Sequence, residues 1–302
     1  MLSIIIPAHN EETVIARGLR AILTGAKPDE LEVIVACNGC TDSTAAIARA
    51  FGPPVHVIEI PQASKIAALN AADQLATAFP RFYLDADVVL NLVSIRTMAT
   101  VLDQGRIFFA SPTLRVDMSN TSWLVRAYYR VWTRLPYNCI GGQVGTGVYA
   151  LSQSGRARFD HFPDVINDDG FVRFHFLPHE RVSVQAAISH VYPPRTLGAL
   201  IRAKTRVRIG YELLRRRYPN LMSGDRRAAG SLWFWLLRHP NLWPELPLYL
   251  GVSVITRVRA RASLGADFCA WERDDSRDAT TPAPMAPSVP KDGRHVSAEG
   301  NV

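Results

Sequence analysis

Apolar runs of strand length alternate with stretches of helix length through the first third of this chain. Leu2–Ile6, Leu31–Ala36 and Val55–Ile60 read as strands, and a fourth apolar run begins at Phe82. Helical stretches lie between them, at Thr13–Thr24, from residue 43 to about Phe51, and at Ser64–Ala78. This order argues for an α/β fold with a largely parallel sheet and helices on both faces. In such sheets ligands sit beyond the carboxyl ends of strands. Three polar loops fall at those ends, residues 7–12, 37–42 and 85–87, and one crevice can collect all three.

The third loop interrupts Phe82-Tyr83-Leu84-Asp85-Ala86-Asp87-Val88-Val89-Leu90. If the whole run is extended, Asp85 and Asp87 project to the same face. Two adjacent carboxylates repel and are costly to bury unless a cation holds them. Mg²⁺ or Mn²⁺ suits them, since hard divalent ions take oxygen ligands and leave positions for phosphate oxygens. Taken alone, an Asp-x-Asp pair reads more simply as a strand end with both acids solvated. The remaining motifs decide for the metal.

With 302 residues, 48% hydrophobic, the chain can build a large domain and an appendage. The net charge of +7 is compatible with an anionic membrane surface or a phosphorylated substrate. No nucleic-acid-binding pattern is present, so nucleic acid is not expected as a partner. Cys37-x-x-Cys40 has no second ligand pair to complete a zinc site, and four cysteines in all suggest a reducing compartment. Met1–Pro7 is too short and lacks the basic flank of a signal peptide, and it reads as the first strand.

The middle of the chain is less regular. Ile107–Ser111, Val148–Leu151 and Val182–Ala187 read as strands, and Trp123–Trp132 as an aromatic-rich helix or loop. Gly141–Gly147 is a glycine-rich turn, and Asp168-Asp169 precede an apolar helix start. Residues 197–218 form an arginine-rich helix. Leu232–Ile255 is rich in Trp, Leu and Pro and is followed by Arg257, Arg259 and Arg261; its longest apolar run is too short to span a bilayer. It reads equally as an interfacial amphipathic segment or as a helix packed on the main domain. From about Glu272 the composition is that of a disordered tail.

These motifs, in this order, resemble the family 2 glycosyltransferases of GT-A fold. The resemblance runs from Ile4 to about Gly210. It rests on Pro7-Ala8-His9-Asn10-Glu11-Glu12, Asn38-Gly39-Cys40-Thr41-Asp42, Lys65-x-x-x-Leu69-Asn70, Asp85-x-Asp87, Gly145-x-Gly147 and Asn167-Asp168-Asp169. It implies an inverting, metal-dependent enzyme that moves one sugar from a nucleoside-diphosphate donor to a lipid-linked or small-molecule acceptor. It implies Asp169 as general base with Asp168 as the fallback, although an Asp at a helix start also serves as a cap. Pro7, His9, Asn10, Glu11, Asn38, Asp42, Lys65, Asp85 and Arg206 are the expected nucleotide contacts. Asp87, Asp85 and His190 are the expected metal ligands, and Gly145, Thr146 and Gly147 the acceptor loop.

Two departures narrow this expectation. Cys37 stands where many members carry an Asp that contacts uracil, and a thiol is a poor acceptor. The stretch Ala203-Lys204-Thr205-Arg206-Val207 keeps only the Arg of the processive synthases' Gln-x-x-Arg-Trp motif, which favours single transfer. The expected organisation is 1–110 for nucleotide-sugar binding, 111–195 for acceptor and catalysis, 196–268 a helical, membrane-associated extension, and 269–302 a disordered tail. The expected location is cytoplasmic, peripheral on the inner face of the cell membrane. The competing readings are a non-catalytic nucleotide-sugar binder or scaffold and a sugar-nucleotide pyrophosphorylase. The latter wants glycines in the first loop, and residues 7–12 have none.

Overall fold

In the computed structural model the described residues are 1–135, 147–222 and 238–264. Eight strands form one sheet in the order β3-β2-β1-β4-β7-β6-β8-β5. They are β1 (Leu2–Ala8), β2 (Leu31–Asn38), β3 (Val55–Ile60), β4 (Arg81–Leu84), β5 (Val89–Leu90), β6 (Phe109–Val116), β7 (Val148–Leu151) and β8 (Arg181–Val191). Strands β3, β2, β1 and β4 are parallel neighbours, as the alternation required. Strand β7 runs antiparallel to both β4 and β6, and β6 pairs parallel with β8.

The inner strands are covered on both faces, and their side chains alternate between two cores. On β2, Val33, Val35 and Cys37 enter one cluster while Ile34 and Ala36 enter the other. The first cluster is closed by α1 (Ile15–Leu23), α2 (Thr44–Arg49) and α4 (Leu92–Asp103). The second is closed by α3 (Lys65–Leu75), by the short α7 (Asp168–Arg173) and by the C-terminal half of α8 (Leu197–Arg217). Helix α5 (Trp123–Trp132) packs with the N-terminal half of α8 and with α9 (Leu246–Ser263) in a third, smaller cluster. The helix starts are written in the sequence. Ser64, Asn91, Ser122 and Thr196 each accept a hydrogen bond from the backbone N–H three residues on, capping α3, α4, α5 and α8.

Two expectations are corrected and one open alternative is decided. Phe82–Leu90 is not one strand: β4 stops at Leu84, residues 85–88 form a turn closed by Val88 N–H donating to Asp85 C=O at 3.0 Å, and β5 follows. The reason lies in the topology. Strand β5 is next in the chain but last in the sheet, and a tight turn spans less than about 7 Å. Four flat strand spacings would need about 19 Å, so the sheet curls and holds the turn at its closing edge. Strand β8 is longer than Val182–Ala187, because an irregularity between Val184 and Ile188 lets the ladder with β6 resume. Residues 123–132 are a helix with buried Val125, Tyr128 and Tyr129. The tail from 269, Trp233, Trp235, Cys139, Cys269, Gly145 and Thr146 lie outside the described residues.

Candidate active site

The carboxyl ends of β1 and β2 carry the first two loops, which are bolted to each other. His9 Nδ1 lies 2.6 Å from Asn38 C=O, and Thr41 N–H donates to Asn10 Oδ1 at 2.8 Å. Asn10 has φ +54°, a left-handed conformation that Asn tolerates. Glu11 N–H donates to Thr44 Oγ1 at 2.7 Å, Glu12 N–H donates to Asp42 Oδ2 at 3.1 Å, and Ser43 N–H donates back to Glu12 Oε2 at 2.9 Å. Asp42 Oδ1 also accepts from Thr44 N–H and hydroxyl. Two of the expected nucleotide contacts also brace these loops. Asn38 is 1% exposed and its amide donates to Ala8 C=O, and both Asp42 oxygens hold backbone. Cys37 is likewise core: burial, with Cys40 beside it, pushes its thiol up to about 12, so it stays neutral.

The acids converge through one cation. Lys65 Nζ lies 2.8 Å from Asp85 Oδ1 and 2.9 Å from Asp168 Oδ1. Burial alone would push this ammonium down; the Asp168 and Asp85 charges outweigh it and raise it. Lys65 is thus a permanent charge that ties the β4 turn to the start of α7, 103 residues away in sequence. Five residues along α3, Asn70 makes a two-way clamp on the approach to α7: its amide donates to Phe162 C=O at 2.9 Å, and its carbonyl accepts Phe162 N–H at 2.8 Å. Lys65 and Asn70 together give the Lys-x-x-x-Leu-Asn motif a physical purpose, which is to fix the acid loop from one helix.

Asp168 and Asp169 differ in surroundings. Asp168 is buried and ion-paired. Asp169 is half-buried and its Oδ1 accepts Gly170 N–H at 2.7 Å. Asn167 is the N-cap and makes no side-chain cap bond. Helix α8 closes this side. A Cβ on Gly210 would stand 3.1 Å from Ile166 Cβ and 3.2 Å from Asn167 Cβ, so the helix presses directly on the acid loop. Arg206 lies one turn before Gly210 on the same face and is half-buried.

Gly147 supports the Asp85 turn from below. Its carbonyl accepts Asp85 N–H at 2.8 Å, its φ is +67°, and a Cβ there would come within 2.3 Å of Val88 Cγ2. Tyr149, two residues on in β7, has no precedent in the sequence reading. Its ring stacks on Tyr83 at 4.9 Å, and its hydroxyl is buried with no hydrogen-bond partner among the described residues. Burial raises the phenol well above its ordinary value, and the charges of Asp168, Asp169 and Asp85 add to the effect.

His190, the third expected ligand, comes from β8 rather than from the turn, and its register partner Val89 lies two residues beyond Asp87. It sits on β8 opposite Val89 of β5 and Arg115 of β6, with Asp117 and Arg115 as its charged neighbours. Among the described residues no three His, Cys, Asp or Glu side chains gather as a metal cage. Two turn carboxylates remain, which fits Mg²⁺ or Mn²⁺, since these ions are usually held by one or two carboxylates plus substrate phosphates.

A curled, largely parallel α/β sheet with paired acids at its strand ends is the architecture of the GT-A fold. The family model described as Glycosyl transferase family 2 matches residues 3–157, just over half the chain. The chain belongs to that family and is a glycosyltransferase. Similar solved structures include a mannosyltransferase from Pyrobaculum calidifontis in complex with GDP-Man and Mn²⁺, at 19% identity and TM-score 0.59 over 89% of this chain and 76% of that one. Glucosyl-3-phosphoglycerate synthase from Mycobacterium tuberculosis, with Mn²⁺ and UDP-Glc, is 20% identical with TM-score 0.50 over 72% of this chain and 78% of that one. TarS from S. aureus, in complex with UDP, is 16% identical with TM-score 0.51 over 79% and 71%. At these identities the likeness is one of fold. No curated protein sequence matches the chain.

Proposed function

We propose that this glycosyltransferase moves a single sugar, with inversion, from a nucleoside-diphosphate donor to a lipid-linked or small-molecule acceptor. The observation that carries the reading is the Asp85–Lys65–Asp168 bridge, which joins a diphosphate-side carboxylate to the acid pair across one crevice. A divalent ion, Mg²⁺ or Mn²⁺, at Asp85 and Asp87 would supply Lewis-acid neutralisation of the leaving diphosphate. The protein's own groups do the rest. Lys65 and Arg206 add fixed positive charge for the phosphates, and His9, Asn10 and Glu11 border the nucleotide. Asp169 accepts the acceptor's hydroxyl proton as that oxygen attacks the anomeric carbon from the face opposite the leaving group. Asp168, already committed to Lys65, positions rather than accepts. Gly145, Thr146 and Gly147 border the acceptor. We keep the expected division at about residues 110 and 195 as part of this reading, together with a place on the cytoplasmic side of the membrane.

The test uses GDP-mannose and UDP-glucose, the sugar nucleotides named for two similar structures, with Mn²⁺. Thermal shift should identify the base, because a ligand of the folded state raises its melting temperature. Asp87→Ala should remove the Mn²⁺-dependent shift. Asp169→Asn should keep the shift and lower donor hydrolysis by ~10²-fold or more. If Asp168→Asn alone shows that pattern while Asp169→Asn is fully active, the two roles are exchanged. A wild-type chain that binds donor yet neither hydrolyses nor transfers it would leave a binder, not an enzyme of this site.

A further inference from the structure

Helix α9 is amphipathic in a direction that its packing leaves unused. Val252, Thr256 and Ala260 recur every four residues and are buried against α5 and α8. Leu250, Val254 and Val258, two residues out of phase and so on the far side of the helix, are 48%, 56% and 61% exposed. Ile255 widens this stripe, and Trp243, in the 3₁₀ turn just before α9, is also exposed. Four large aliphatic side chains in one outward row are not a scatter of single surface hydrophobics.

The charges around the row are all of one sign. Between Leu246 and Leu264 there is no Asp or Glu, whereas Arg257, Arg259 and Arg261 are exposed. At 100° per residue Arg257 borders the stripe on the Leu250 side, Arg261 continues it at the C-terminal end, and Arg259 lies beyond Ile255. Among the described residues no helix is long and apolar enough to cross a membrane. A second copy docked here through a two-fold axis would set the same acid-free helix against itself, and its arginines would meet no carboxylate on that helix.

We propose that the outward stripe of α9, Leu250, Val254, Ile255 and Val258 with Trp243, is a surface-lying contact for a bilayer that carries anionic headgroups. The aliphatic row enters the headgroup boundary, the indole sits at its level, and the arginines meet the acidic lipid. The contact stands on the far side of α9 from the rest of the protein and does not depend on the catalytic reading.

Sedimentation of the full chain with phosphatidylcholine vesicles, with and without phosphatidylglycerol, tests it. Binding should need phosphatidylglycerol, weaken with added salt, and fall roughly fivefold for each of Arg257, Arg259 and Arg261 changed to Gln. Val254→Asp with Val258→Asp should abolish it while melting temperature and donor hydrolysis stay at wild-type values, because both side chains already face water. Wild-type vesicle binding by that double variant would overturn the proposal, as would a full chain that stays in the supernatant at low salt. Light scattering that shows a dimer of the wild-type chain, lost in the double variant, would assign the stripe to a second copy instead.

Discussion

Lys65 holds two carboxylates with one ammonium, and that single contact sets what each acid can do. The identities of the acids were legible, because paired carboxylates in an apolar setting have few uses. Their partners were not. Asn38 and Asp42 look like ligands in a list of loop residues, yet the Asn38 amide group donates to Ala8 C=O and Asp42 holds the backbone of residues 12 and 44, and sequence carries no mark of which polar group faces the chain. Tyr149 sits in Val148–Leu151, an apolar run, where a tyrosine reads as core. Gly147 was legible as a special residue, and the structure supplies the reason. Gly147→Ala would place a methyl group 2.3 Å from Val88 Cγ2 at φ +67°. We expect about 1–3 kcal/mol of destabilisation and loss of the Mn²⁺-dependent donor shift, because the Asp85 turn must move. A donor shift of wild-type size in a folded Gly147→Ala protein would refute that account.

At the scale of elements, the fold is joined by polar clamps where its strands are short. Asp73 on α3 accepts from Arg81 of β4 at 2.7 Å and from Tyr83 at 2.6 Å through one oxygen, and from Arg156 Nε of α6 (Gln153–Arg156) at 2.8 Å through the other. Burial opposes its charge, but Arg156, Tyr83 and Arg81 outweigh that and hold its carboxyl below the usual range. Asp73→Asn strands two largely buried guanidiniums and should cost about 3–5 kcal/mol in urea unfolding; a loss below about 1 kcal/mol would mean that water reaches the cluster. The exposed clamps act through pH. Hydrogen bonds from Arg96 hold Glu30 at about 2, and hydrogen bonds from Arg158 hold Glu180 at about 2, both from 4.5. Groups depressed in this way stabilise the fold above their unfolded value and lose that contribution as pH falls through the folded one. Melting temperature should therefore drop between about pH 4.5 and 2, and Glu180→Gln should flatten that drop; an unchanged slope would remove Glu180 from it. The first four strands and their helices were readable because apolar runs of strand length and helix length alternate there. The break at Leu84 was not, since it is set by where β5 must pair rather than by any local residue.

For the whole molecule, α8 is the member that connects its parts. Leu200 packs with Tyr128 of α5 and Val252 of α9, and Leu214 packs in the cluster that holds Phe171 and Val172 of α7. Between them Gly210 rests on Ile166 and Asn167. The span from Leu200 to Gly210 is about 15 Å of continuous helix. Amide hydrogen exchange should therefore release the middle of α8 as one block, together with α7. Exchange at residues 200–205 faster by ~10²-fold than at 209–214 would show two independent units. The helix also limits how an acceptor can arrive. Prising the outer helices apart to admit it would loosen the floor beneath Asp168 at the same time. One helix thus carries both a seat for α9 and the backing of the acid loop, so the two ends of the molecule share a single rigid strut.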